Sequence, residues 1–292
     1  MTRVPPRAAA LGLLGLAAAQ PAAALTIELD FSASTGATAS QIAAFEAGAA
    51  FWSDVLGAYT EAGANTGRDA IRDPLLIDVN ISYIDGRGGV LGSAGPTAGV
   101  GFTDNLYATE GQMTFDSADM TRLENRNELL AVATHEIAHV IGFGTLWGIT
   151  VNGTLYNDVY DQTGSPGAYY GAEALAAYQA EYAPTATFVP VELDGGDGTA
   201  HGHWDENWHA DANSVYELLT GFLNTPVDVS YVTLAQFADL GYEIASQVEF
   251  EQALTTLNIN NLAPADVPVP GAAPLALSAL LALGLVGRRR KG

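Results

Sequence analysis

The sequence predicts an α+β domain whose regular elements gather in its N-terminal half, followed by an irregular C-terminal half. Three observations carry this. Leu25–Phe31 and Leu75–Ile84 alternate apolar and polar residues as half-buried strands do. Ser40–Leu56 and the stretch ending at Ile141 repeat apolar residues at helical spacing. Beyond Gly142 the texture changes to glycine, tyrosine and acidic residues with few long periodic runs.

In the first strand Ile27, Leu29 and Phe31 share one face, and in the first helix Ile42, Phe45, Ala49 and Trp52 recur behind Ser40 as N-cap. Leu75–Ile84 is the second strand, Gly86–Pro96 a glycine-rich loop, and Gln112–Asp116 a short strand. Asn125 or Asn127 caps a helix running to about Ile141, with a core face of Leu129, Val132, Ala133, Val140 and Ile141. Late in the chain Thr233 caps a helix over Leu234–Leu240, and Gly241 stops it. No internal repeat interrupts this order.

Hydrophobic residues make up 48% of the chain and charged residues 15%, which excludes a disordered polypeptide. The charge is lopsided, 33 acidic residues against 11 basic, and six of the basic ones (Arg3, Arg7, Arg288, Arg289, Arg290 and Lys291) lie at the termini. The remaining surface repels nucleic acid and anionic lipid, so neither is an expected partner. It favours divalent cations or cationic peptides, although solubility in salty surroundings is the plainer reason for such acidity. Cysteine is absent, which excludes disulfides, thiolate ligands for a metal and any latency device built on a thiol.

Both ends have the form of addresses. Residues 1–24 join a basic start (Arg3, Arg7), an apolar stretch from Ala8 to Ala19 and a small-residue exit, Ala22-Ala23-Ala24, which is the pattern of a secretory signal peptide. At the other end a proline- and alanine-rich linker over residues 263–271 leads through Val267-Pro268-Val269-Pro270-Gly271 into an apolar run, Ala272–Gly287. Arg288-Arg289-Arg290-Lys291 close it. The run is slightly short of the roughly 20 residues that span a bilayer. This tail resembles the PEP-CTERM sorting signals of Gram-negative bacteria. The resemblance implies an exosortase-type processing enzyme as partner, transient membrane contact, and delivery to the cell surface or beyond. A permanent tail anchor is the competing reading.

The chemistry centres on His135-Glu136-Ile137-Ala138-His139. Histidines at i and i+4 of a helix lie on one face and can share one ion. Glu136 lies about 100° around the helix from His135, where it can flank the ion and accept a proton from a water. The five histidines fall in two clusters, His135/His139 and His201/His203/His209. A catalytic zinc ion takes three protein ligands and keeps one open position, so the second cluster is expected to supply the third ligand. Gly142 and Gly144 let the chain turn back toward the site. Spacing alone does not choose among His201, His203 and His209. Glu173 is the rival of carboxylate type, and Asp194-Gly195-Gly196-Asp197-Gly198 is either a weak Ca2+ candidate or a plain acidic turn.

His135-Glu136-x-x-His139-x-x-Gly142-Phe143 resembles the zinc signature of metzincin peptidases. Gly198-Thr199-Ala200-x-Gly202-His203-Trp204 and Glu217-Leu218-Leu219-Thr220-Gly221 are similar to leishmanolysin-like members of that class, as is Val232–Tyr242. Gly89-Val90-Leu91-Gly92 and the strand ending at Asp116 resemble the family's upper half, where an edge strand pairs with substrate backbone. What the resemblance implies is His135, His139 and His203 on one Zn2+ ion, Glu136 as general base, and a protein or peptide as substrate. The fold expected is metzincin-like, with the N-terminal sheet-and-helix half ending in the zinc helix. The division is a signal peptide (1–24), a metallopeptidase domain (25–262, upper half 25–143 and lower half 144–262) and the linker and sorting segment (263–292). The chain departs from the family at Leu219, where the family has a methionine beneath the zinc. The contrasting expectation is a surface or matrix adhesion protein that keeps a structural or degenerate zinc site.

Overall fold

In residues 75–82, Leu75, Ile77 and Val79 are buried while Leu76 and Asp78 face solvent, so one face of this strand belongs to the core. The computed structural model describes residues 24–34, 36–61, 64, 71, 74–206 and 215–260. It builds a four-stranded sheet in the order β1 (Ile27–Asp30), β3 (Leu75–Ser82), β5 (Leu106–Asp116) and β4 (Gly92–Gly101). β1, β3 and β5 are parallel, and β4 runs antiparallel to β5 along the edge.

Two helices cover the buried face. α1 (Ala39–Val55) presents Phe45, whose ring meets Phe115 of β5 edge-on at 4.7 Å, and Trp52, whose indole N–H donates to the Thr134 carbonyl at 2.8 Å. α3 (Leu129–Ile141) is buried at every position except His135. A helix buried on nearly all sides must be enclosed by other elements, and α1 and the sheet flank this one. Gly48 of α1 and Gly111 of β5 let the backbones close in. A Cβ on Gly111 would lie 2.2 Å from a Val140 methyl.

The C-terminal half contains pieces of sheet two or three residues long: the hairpin of β6 (Ile149–Val151) with β7 (Thr154–Tyr156), β8 (Ala168–Tyr169) with β9 (Val189–Pro190), and β10 (Tyr216–Glu217) with β11 (Val227–Asp228). α4 (Ala172–Glu181) and α5 (Tyr231–Asp239) pack together, and β12 (Tyr242–Ile244) returns to pair with β2 (Leu56–Tyr59) of the first half. The α+β class and the regular-then-irregular organisation are as the sequence predicts.

Several boundaries differ for identifiable reasons. α1 is capped by Thr38 and not Ser40. The Thr38 hydroxyl takes the Gln41 N–H while the Gln41 side chain takes the Thr38 N–H, a reciprocal box that Ser40 cannot form. The glycine-rich stretch is a loop only as far as Leu91, because from Gly92 the ladder with β5 overrides weak strand propensity. Asn127 lies in the left-handed region (φ 58°) between α2 (Met120–Asn125) and α3, and α3 starts behind Glu128 with no side-chain cap. α5 is capped by Ser230, three residues before Thr233. α6 (Gln247–Leu257) has its own box between Ser246 and Glu249. Residues 1–23 and 261–292, on which the expected signal peptide and the expected linker and sorting tail fall, lie outside the described residues, as does His209. No helix of the described residues is long and apolar enough to cross a membrane.

Candidate metal centre

α3 brings His135 and His139 onto one face, and their Nε2 atoms lie 2.9 Å apart. The helix ends at Gly142 (φ 139°), followed by Gly144 (φ 69°), which is packed so closely that a Cβ there would lie 2.1 Å from the Gly202 carbonyl oxygen. That contact seats the segment carrying His203. The His203 Nε2 lies 3.0 Å from that of His139 and 3.2 Å from that of His135. Among the described residues this trio is the one group of three or more metal-ligating side chains close enough to hold an ion.

The other nitrogen of each ring is also spoken for. His135 Nδ1 lies 2.7 Å from the Leu218 carbonyl, His139 Nδ1 2.8 Å from Phe143, and His203 Nδ1 2.8 Å from Thr199. A carbonyl only accepts, so each Nδ1 carries the proton and each Nε2 presents a lone pair to the same point. Burial, and then the neighbouring His203 ring, push the His135 pKa down to about 3. Burial first, and then the other two rings, lower that of His139, and burial lowers that of His203. Three neutral imidazoles aimed at one another repel unless a cation lies between them. Tetrahedral zinc with Zn–N near 2.0–2.1 Å sets its nitrogens about 3.4 Å apart, close to the spacing here. The donor set fits that ion.

Glu136 is buried beside this cluster, and burial pushes its carboxyl up to about 8. A divalent cation opposes that shift. Its Oε1 lies against the edge strand, 2.7 Å from where a Cβ on Gly92 would stand. A side chain at the first residue of β4 would therefore displace it.

The remaining candidates are elsewhere. His201, held at φ 67°, accepts or donates a 2.7 Å hydrogen bond with the Tyr160 hydroxyl and is outside the trio. Glu173 lies in the first turn of α4, where its backbone N–H donates to Asp239. The backbone N–H of Asp194 donates to the Glu192 carboxylate, and the Asp194–Gly198 turn joins no metal-ligating group. Sequence reasoning missed Glu192, which is buried and pins the 192–206 segment through Leu193, Asp194 and Glu206. It also missed the Leu218, Phe143 and Thr199 carbonyls, which leave no side-chain signal. Trp204, fully buried, ties the two halves together through Phe143, Trp147 and Tyr169 at ring separations of 5.1–5.3 Å.

Three histidines, two on α3 and one on the segment before Trp204, with the buried carboxylate of Glu136 beside them, make a donor set that suits a zinc metallopeptidase. The leishmanolysin model of the peptidase M8 family matches residues 98–263, more than half of the chain, and the chain belongs to that family. No curated protein matches the sequence closely enough to count as a relative.

Proposed function

We propose that the chain is an exported endopeptidase of the metzincin kind, in which His135, His139 and His203 hold one Zn2+ and Glu136 is the general base. The observation that carries the reading is the convergence of three Nε2 lone pairs within 2.9–3.2 Å, each ring fixed by a carbonyl on its far side. Zinc, when bound, polarises the scissile carbonyl and lowers the pKa of a water to about 7. Glu136 accepts the proton of the attacking water and passes it to the leaving amine. Among the described residues β4 is the edge strand of its sheet and begins against Glu136, and its outer backbone groups can pair with an extended peptide. Leu219 fills the methionine position as a buried apolar residue of similar size.

Glu136→Gln is expected to retain zinc and fold while losing most turnover of a casein-type substrate. Turnover near the wild-type rate in that variant would falsify the base assignment. A wild-type protein that holds zinc but cleaves no protein substrate would instead favour a surface adhesion protein with a degenerate site.

Export rests on residues 1–24 and the sorting pattern at 267–291. We place the peptidase domain at 25–262 and assign 263–292 to a linker and tail, processed by an exosortase-type enzyme in a Gram-negative bacterium. Deleting 267–292 should leave a folded domain and release it from its native location. Loss of folding on that deletion would show that the tail packs into the domain.

A further inference from the structure

We propose that Glu217 is a positioning residue for the metal centre, acting on His135 through the peptide unit that joins Leu218 to Leu219. The inference rests on reading the three histidines as zinc ligands. Its observations are separate from theirs.

Glu217 is 2% exposed, at the end of β10. Burying a carboxylate is costly unless its oxygens are satisfied, and here they are. Oε1 accepts the Leu219 N–H at 3.2 Å and the Thr233 hydroxyl at 2.8 Å, and Oε2 accepts the Ser230 N–H at 2.9 Å. The Leu219 N–H and the Leu218 carbonyl belong to one planar peptide unit. That carbonyl is the acceptor for His135 Nδ1, 2.7 Å away. A negative charge at the N–H end of the peptide polarises it and raises the electron density on the oxygen. It also holds the plane against rotation, so the His135 ring keeps both its tautomer and its direction. The carboxylate thus reaches the imidazole through one peptide bond.

A second arm leads to His203. The Leu219 carbonyl accepts the backbone N–H of Trp204, the next residue, at 3.0 Å. The Trp204 indole N–H donates to Thr233 Oγ1 at 2.8 Å, and that hydroxyl passes its own proton toward Glu217 Oε1. Glu217 therefore braces both the acceptor of one ligand and the backbone beside another against the start of α5.

The test compares full-length wild type with Glu217→Gln, Thr233→Val and Thr233→Ser. The readouts are zinc dissociation constants from chelator competition and the visible absorption of the cobalt(II)-loaded proteins. Leu257→Ala, in α6, serves as a control that lowers the melting temperature at a distance. Glu217→Gln sets an amide N–H against a donor, and it should weaken zinc by about 10–100-fold and shift the cobalt bands. Thr233→Val should do so to a smaller extent, Thr233→Ser should restore wild-type values, and Leu257→Ala should melt lower with affinity unchanged. A Glu217→Gln protein that melts lower yet matches wild type in zinc affinity and cobalt spectrum overturns the proposal. Should that variant fail to fold, the Thr233 pair decides, and wild-type affinity in Thr233→Val overturns it. A wild-type protein that binds no zinc overturns the ligand reading and this inference together.

Discussion

The two halves of the metal centre are built by opposite means. His135, Glu136 and His139 ride a helix whose own periodicity aligns them, flanked by α1 and the sheet. His203 comes on an irregular segment with no helix or long strand to hold it. Its place is set by backbone hydrogen bonds to Glu192 and Leu219, by the buried Trp204 ring, and by contact with Gly144. A helix needs little outside help to present i and i+4 side chains, whereas a loop presents one accurately only when other elements fix its backbone. The helical half should therefore tolerate perturbation of its surroundings, and the loop half should not.

The largest expected effect comes from deleting the loop's contribution. His203→Ala leaves two imidazoles, and zinc should be lost on dialysis against a weak chelator, together with all activity. His201→Ala, which removes only the Tyr160 partner, should stay near stoichiometric. Zinc content of the two purified variants decides, and the reverse result would move the third ligand to His201.

A smaller effect is expected at the joint between the halves. Gly144→Ala adds a Cβ at a left-handed φ and 2.1 Å from the Gly202 oxygen. The Gly202–His203 backbone must shift, at about 2–3 kcal/mol in stability. Zinc affinity should fall at least about tenfold through His203, with α3 intact by circular dichroism. Unchanged affinity would show that the loop absorbs such strain, and would weaken the contrast.

The smallest effect tests whether polar tertiary contacts hold the irregular half. α4 begins at Gly171, which offers no side-chain cap, and Asp239 of α5 accepts the Glu173 and Ala174 N–H groups at 2.8 and 3.0 Å instead. Burial raises its carboxyl from 3.8 to about 6, against the lowering effect of those two donors. A raised folded pKa gives a stabilising contribution that is full below the unfolded value and lost as pH rises through about 6. The size is on the order of 1 kcal/mol once partial exposure is discounted. Denaturant unfolding of wild type and Asp239→Asn, compared pH by pH, should show that slope in wild type and a flatter profile in the variant. Equal slopes would assign the pH dependence elsewhere.

The site was more legible than the fold around it. α3 announces itself as a metal-site candidate because its two histidines and glutamate are local in sequence. The pairing of His203 with them came through resemblance, since spacing left His201 and His209 open. The capping box of α6 is spelled in Ser246-x-x-Glu249, but a lone box with little apolar periodicity behind it is weak. β4 was hidden by its glycines, whose strand conformation follows from pairing with β5.

What the sequence by itself determined is whatever depends on near neighbours: the α+β class, the buried α3, the two histidines and the glutamate on it, and the glycines that end it. Tertiary structure alone decided which distant groups meet. The Leu218 carbonyl that fixes His135, and the Glu217 carboxylate behind it, come from far along the chain, while the Phe143 and Thr199 carbonyls that fix His139 and His203 are four residues away and leave no side-chain signal. A carbonyl is the same at every position, so no letter in the sequence marks the ones that orient a ligand. Only the folded path of the chain selects them.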